Sequence, residues 1–225
     1  MEIILTNDDG IDAPGIFALF NALDGNKNIV APKEPHSGCG HQVTTHKPLI
    51  ITERNKKEIA VHGTPADCSR LGIVYLFPNS DWVISGINAG GNLGVDLYIS
   101  GTAAAAREAA ILGKPAIAIS HWIREGKPIN WDYATLLARK VFVELFTQPL
   151  PEKSFWNINL PHVFTGEKDP EIIYCEPSND PLPIEFENKG DTFHYTGKYP
   201  ERFRKKGTDI DICFSGNIAI SLVKV

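Results

Sequence analysis

Short apolar runs recur along this chain: Ile3-Ile4-Leu5, Ile29-Val30-Ala31, Trp82-Val83-Ile84, the stretch from Pro115 to Ser120, and Trp156 to Leu160. Each has strand length. Most carry no polar alternation, the pattern of a strand buried on both faces. Between them lie segments of helical character. Asp12 can cap and Pro14 suits a first turn, after which Phe17, Phe20 and Leu23 recur at helical spacing. Thr64 and Asp67 have capping-box spacing around Pro65 and predict a helix to about Leu76, with Asp67 as an acidic first-turn residue facing the helix dipole. Ala103 to Ala110 is strongly helical by propensity with Gly113 as a stop, and Asp132 to Phe146 carries helical periodicity through Leu136, Leu137, Val141 and Leu145.

Doubly buried strands alternating with helices imply a mainly parallel sheet covered on both sides. The expectation is an α/β fold, a three-layer α/β/α Rossmann-like sandwich with a mainly parallel sheet. From Pro161 onward Pro, Asn, Asp and charged residues separate short strand candidates at Ile172-Ile173-Tyr174, Phe193-His194-Tyr195 and Ile218 to Ser221. The chain thus divides into a Rossmann-like core, residues 1–161, expected to carry any catalytic site, and a smaller irregular β-rich C-terminal appendage, residues 162–225, expected to complete the core. The run Arg202 to Lys206 reads as a solvated face.

At the end of the first strand Thr6-Asn7 opens into Asp8-Asp9-Gly10. In open α/β sheets that edge is where ligands bind. Adjacent carboxylates repel, and desolvating both is costly unless one takes a proton or a cation lies between them. Asp9-Gly10 is also a common turn signal, so the pair alone leaves both readings open. Two further oxygen-rich loops leave strands, Ser37 to His41 and Asn88 to Thr102. Carboxylate, amide and hydroxyl oxygens suit Mg²⁺, Mn²⁺ or Ca²⁺ better than zinc, and such ions commonly share their coordination with phosphate. Ser100-Gly101-Thr102 at a helix start reads alone as capping; beside the other loops it is a candidate anion site.

Other chemistries lose support. No GxGxxG, P-loop or GxSxG motif is present, and Cys39, Cys68, Cys175 and Cys213 form no CxxC pair. Cys39 and His41 share a loop, but no orienting Asn or Asp can be assigned to them, which argues against a cysteine nucleophile. A net charge of −5 argues against a nucleic-acid duplex or an anionic membrane as bulk partner. No run approaches bilayer-spanning length, and Met1-Glu2-Ile3 leads straight into a strand, so a cytoplasmic location is expected. Tyr98, Trp122 and Phe193 are each as compatible with packing as with stacking a base.

The segments TNDDGIDAPGI, Ser37-Gly38-Cys39-Gly40-His41, GTPADC, SGINAGGNLG, SGTAAAAREA and NINLP occur in this order. Together they are similar to the SurE family, the survival-protein nucleotidases, from Met1 to about Pro161, with weaker similarity at Gly207-Thr208-Asp209 and near Gly216. The resemblance implies a metal-dependent phosphatase, a 5′-nucleotidase acting on nucleoside 5′- and 3′-monophosphates, with exopolyphosphatase side activity. It implies one divalent metal ion per subunit, Mg²⁺ or Mn²⁺, held by Asp8, Asp9, Ser37 and Asn88. Asp8 and Asp9 would be catalytic, and Asn92, Ser100, Gly101 and Thr102 would face the substrate phosphate. Three departures stand out. Lys33 and His36 replace the usual acidic and basic residues, and Cys39 replaces a small one. A homodimer or homotetramer is implied, with the 162–225 appendage taking part in oligomerisation, although the chain stops at Val225, short of many relatives' tails.

Overall fold

The computed structural model describes residues 1–164 and 166–225. Its strands are β1 (Glu2–Thr6), β2 (Asn26–Pro32), β3 (Ile51–Asn55), β4 (Glu58–Val61), β5 (Trp82–Ala89), β6 (Ala116–His121), β7 (Ser154–Leu160), β8 (Ile172–Tyr174), β9 (Phe186–Lys189), β10 (Thr192–Tyr195) and β11 (Ile218–Lys224). The α-helices are α1 (Pro14–Ala22), α2 (Pro65–Leu71), α3 (Gly101–Ile111), α4 (Trp131–Leu145) and α5 (Asp209–Phe214). One nine-stranded sheet runs β3-β4-β2-β1-β5-β6-β7-β11-β8. From β4 to β7 every neighbouring pair is parallel. β3 is antiparallel to β4 at one side, and β11 is antiparallel to β7 at the other.

The apolar runs build two cores because successive strand residues point to opposite faces. In β1, Ile3 and Leu5 join a core formed with Ile16 and Leu19 of α1 and Leu137 and Val141 of α4. Ile4 points the other way, to Cys68 of α2 and Ala103, Ala106 and Ala109 of α3. Helices therefore cover both faces, as the alternation predicts. The alanine face of α3 carries little bulk, which lets the helix lie close to the sheet, and Ala103, Ala106 and Ala109 are fully buried.

Local expectations fare unevenly. The capping box forms as read, with Asp67 N–H on Thr64 Oγ1 at 3.2 Å and Thr64 N–H on Asp67 Oδ2 at 3.0 Å. Past Leu71 the backbone continues to Leu76 as a π-helical turn. The start of α1 differs from the reading. Ala13 occupies the N-cap without a side-chain bond, while Asp12 takes both guanidinium nitrogens of Arg54 at 2.5 and 2.6 Å. A bidentate arginine outcompetes a single backbone N–H for that carboxylate. The buried side of α1 is also offset, carrying Ile16 and Leu19, and Phe17 is exposed.

Gly15 marks how tightly α1 lies on β5. A Cβ there would stand 2.0 Å from the Ile87 carbonyl oxygen. Gly15→Ala must therefore push helix from strand, and we expect it to destabilise by about 1–3 kcal/mol, despite alanine's better helix propensity. A thermal melt checks this; an unchanged midpoint would mean the helix shifts freely.

Residues 162–225 place β8 and β11 in the main sheet. The β9–β10 hairpin stands apart from it, with Phe186, Phe193 and Tyr195 exposed. Neither β3 nor β9 is visible in the sequence reading. Every residue of both is exposed, so no apolar pattern marks them. The run from Phe203 to Lys206 is exposed as read, but Arg202 is not part of a solvated face, since its side chain is fully buried against Asp96 at 2.8 Å. No helix among the described residues is long and apolar enough to cross a membrane.

Candidate active site

The loops that leave β1, β2 and β5 converge at the carboxyl edge of the sheet because those strands are neighbours. Asp8 lies at the centre, only 4% exposed. Its Oδ1 accepts the Thr102 hydroxyl at 2.5 Å, and its backbone carbonyl accepts His36 N–H at 2.7 Å. Asp8 thereby links the start of α3 to the loop carrying Ser37. Asp9, half-buried, accepts Ala89 N–H at Oδ2, 3.1 Å away, which ties it to the residue after Asn88. Gly90 takes the Asn88 amide N–H on its carbonyl at 2.8 Å, leaving the amide oxygen for other partners. The four oxygen donors read from the sequence thus come from loops bonded to one another at this edge.

Electrostatics single out the carboxylates. Burial pushes Asp8 up to about 6; the Thr102 bond pulls against this and the Asp9 charge adds to it. Burial also raises Asp9. No cationic side chain contributes to either shift, so the pair lacks counter-charge among the described residues.

At α3, the Ser100 oxygen accepts Ala103 N–H at 3.0 Å, so the capping role is realised, while its hydroxyl proton remains available to a ligand. The N–H groups of the first turn have no carbonyl partner within the helix, which leaves those of Gly101 and Thr102 available for an anion. Gly101 is needed for close approach. A Cβ there would stand 2.7 Å from Asp8 Cβ and 3.1 Å from the Cys39 sulfur.

The sequence profile described as Survival protein SurE matches residues 3–179. The chain belongs to the SurE family. A Synechocystis protein provisionally named a 5′-nucleotidase is 58% identical over the whole of both chains. The Geobacter sulfurreducens protein named 5′-nucleotidase SurE is 38% identical, the match covering 98% of this chain and 87% of the relative. The crystal structure of the SurE protein from Aquifex aeolicus superposes with a TM-score of 0.88 at 30% identity, covering all of this chain and 93% of that one.

This SurE chain also holds a buried amide network. Asn92 donates its side-chain N–H to Ser120 at 2.8 Å and its backbone N–H to Asn159 at 2.8 Å, while Asn157 and Asn159 both donate to its carbonyl at 3.0 Å. One N–H of the Asn92 amide is therefore spent on Ser120, and the second remains for a ligand. Thr102 likewise spends its hydroxyl on Asp8, and its backbone N–H remains for an anion. The loop after Asn92 is fastened from the far end of the chain. Asp209 accepts Gly94 N–H at 2.6 Å, and Arg202 and the Tyr199 hydroxyl meet on Asp96 Oδ2 at 2.8 and 2.5 Å. Asn157 and Asn159 had a signal in the sequence: polar residues two apart in the otherwise apolar run from Phe155 to Leu160. Arg202 had none.

His41 pairs with Glu108 at 2.7 Å and so is engaged away from Cys39. Burial and the Asp8 charge raise the Cys39 thiol. Both observations oppose a thiolate nucleophile. His121, at the end of β6, is held down at about 4 by burial and is neutral; its Nδ1–H donates to the Trp122 carbonyl at 2.8 Å.

Proposed function

We propose that this SurE-family enzyme hydrolyses nucleoside 5′- and 3′-monophosphates to nucleoside and phosphate, with terminal residues of polyphosphate as a side substrate. The observation that carries the reading is the contact between the buried Asp8 carboxylate and the first turn of α3. It sets an uncompensated pair of carboxylates directly beside a cluster of anion-binding N–H groups. Either feature alone repels what the other attracts. Together they fit a cation and a phosphate held side by side.

The donor set suits a hard divalent cation, and we propose one Mg²⁺ or Mn²⁺ on Asp8, Asp9, Ser37 and Asn88. Among the described residues no group of three or more His, Cys, Asp and Glu side chains could hold a metal. When bound, such an ion polarises the phosphoryl group and lowers the pKa of the attacking water. The chain supplies the rest. Ser100 hydroxyl and the Gly101 and Thr102 N–H groups bind non-bridging oxygens, and the α3 dipole favours the charge that develops on them. Asp8 accepts the proton of the attacking water, its orientation set by Thr102. Asn92, pinned by Ser120, Asn157 and Asn159, positions the loop between Asn88 and Ser100.

The test is phosphate release from AMP, GMP and 3′-AMP by EDTA-treated protein, reconstituted separately with Mg²⁺, Mn²⁺, Ca²⁺ and Zn²⁺. We expect release to vanish on chelation and return with Mg²⁺ or Mn²⁺. Activity indifferent to chelation overturns the metal assignment; nucleotide binding without release under any metal identifies a binding module instead.

A further inference from the structure

Resting on the nucleotidase reading, the remaining question at this site is where the nucleoside goes once the phosphate meets α3. One direction is closed, because Gly40 N–H bonds to the Ile99 carbonyl at 3.0 Å and the Cys39 sulfur lies against Gly101. The open direction is past Asp9. A cavity of about 450 Å³ begins there, lined by Asp9, Pro14, Lys33, Pro35, Ala89 and Trp131. Its volume falls within the range of small-molecule sites. Asp9 and Ala89 form the wall it shares with the carboxylate pair, so a ligand in the cavity and a phosphate on α3 can belong to one molecule.

We propose that this cavity seats the base of the nucleotide, with the Trp131 indole as its stacking surface. The ring is already held in place. Trp131 is the first residue of α4, whose start is fixed by Asn130 accepting Tyr133 N–H at 3.0 Å. Its carbonyl accepts the Thr135 hydroxyl at 2.8 Å. The ring tip lies 3.2 Å from where a Cβ on Gly15 would stand, so α1 holds its edge. A half-buried, immobilised aromatic loses little freedom when a base stacks on it. The aromatics singled out from the sequence are placed less well. Trp122 is buried and stacked on Phe214 with ring centres 4.3 Å apart, and Phe193 lies on the exposed hairpin. Tyr98 is highly exposed on the side closed off by Gly40 and Ile99.

The experiment compares kcat/KM for AMP with that for ribose 5-phosphate, which lacks a base, in the wild type, Trp131→Leu, Trp131→Phe and Tyr98→Leu. Adenosine quenching of indole fluorescence is read alongside. We expect the AMP to ribose 5-phosphate ratio to fall about tenfold in Trp131→Leu, through KM for AMP, and to be largely kept in Trp131→Phe. Adenosine should quench wild-type fluorescence and leave Trp131→Leu unaffected. An unchanged ratio in Trp131→Leu overturns the proposal, and a fall in Tyr98→Leu instead would place the base on the Tyr98 side. If the wild type cleaves neither substrate, the nucleotidase reading itself fails, and the adenosine titration still decides whether Trp131 faces a base.

Discussion

Asp8→Asn should lower metal-supported phosphate release from AMP by about 10²–10⁴-fold and at the same time raise the melting temperature of the metal-free protein near neutral pH. The two effects have one cause. A carboxylate held at about 6 in the fold, against 3.8 unfolded, is more easily protonated when folded. Its raised folded pKa means that stability is fully present below pH 4 and is lost as pH rises toward 6, by about 3 kcal/mol in all. Asparagine keeps the shape, takes no charge and removes that slope. Melts of EDTA-treated wild type and variant between pH 4 and 7 read it as a difference, in which other titrating groups cancel. Parallel pH profiles would show that Asp8 is not desolvated; full activity with a native circular dichroism spectrum would remove it from the chemistry.

Gly101→Ala should lower activity strongly and stability modestly, whereas Asp8→Asn raises stability. No unusual backbone angle is required at this position, and alanine favours the helix by up to about 1 kcal/mol over glycine. That preference offsets part of the cost of crowding a packed site, about 1–3 kcal/mol, so the melting temperature should fall modestly. The added methyl group, however, would stand 2.9 Å from Asp8 Oδ2 as well as against its Cβ and the Cys39 sulfur, so the carboxylate must move. Displacing a reacting group by a fraction of an ångström to an ångström costs about 10²-fold. We therefore expect turnover reduced at least about that much in a protein that still folds, a larger loss than its modest destabilisation accounts for. Serine in place of Cys39 in the same background relieves only one of the three contacts and should restore little. Undiminished turnover in Gly101→Ala would mean that the start of α3 does not fix Asp8.

The strands of the parallel core were legible because each is buried on both faces and so must be apolar along its length. β3 and β9, exposed at every position, are held by backbone pairing, which leaves no trace in side-chain chemistry. The first helix shows the same limit at one residue. Asp12 has the right character and place to cap, yet Arg54, forty-two positions away, takes it. No local rule sees that competitor.

For the site, sequence marked three oxygen-rich loops at strand ends, and the resemblance picked out Asp8, Asp9, Ser37, Asn88 and Ser100 to Thr102 within them. Sequence also determined the layer architecture, through the spacing of buried residues. Only the tertiary structure decided which hydroxyl serves which group: Thr102 spends its proton on Asp8, and Ser100 accepts a backbone N–H while keeping its own free. Only it revealed that Arg202 and Asp209 fasten the loop after Asn92, or that Trp131 stands at the mouth beyond Asp9. These assignments depend on which of several competent partners comes closest, and that is a distance set by the packing of elements remote in the chain.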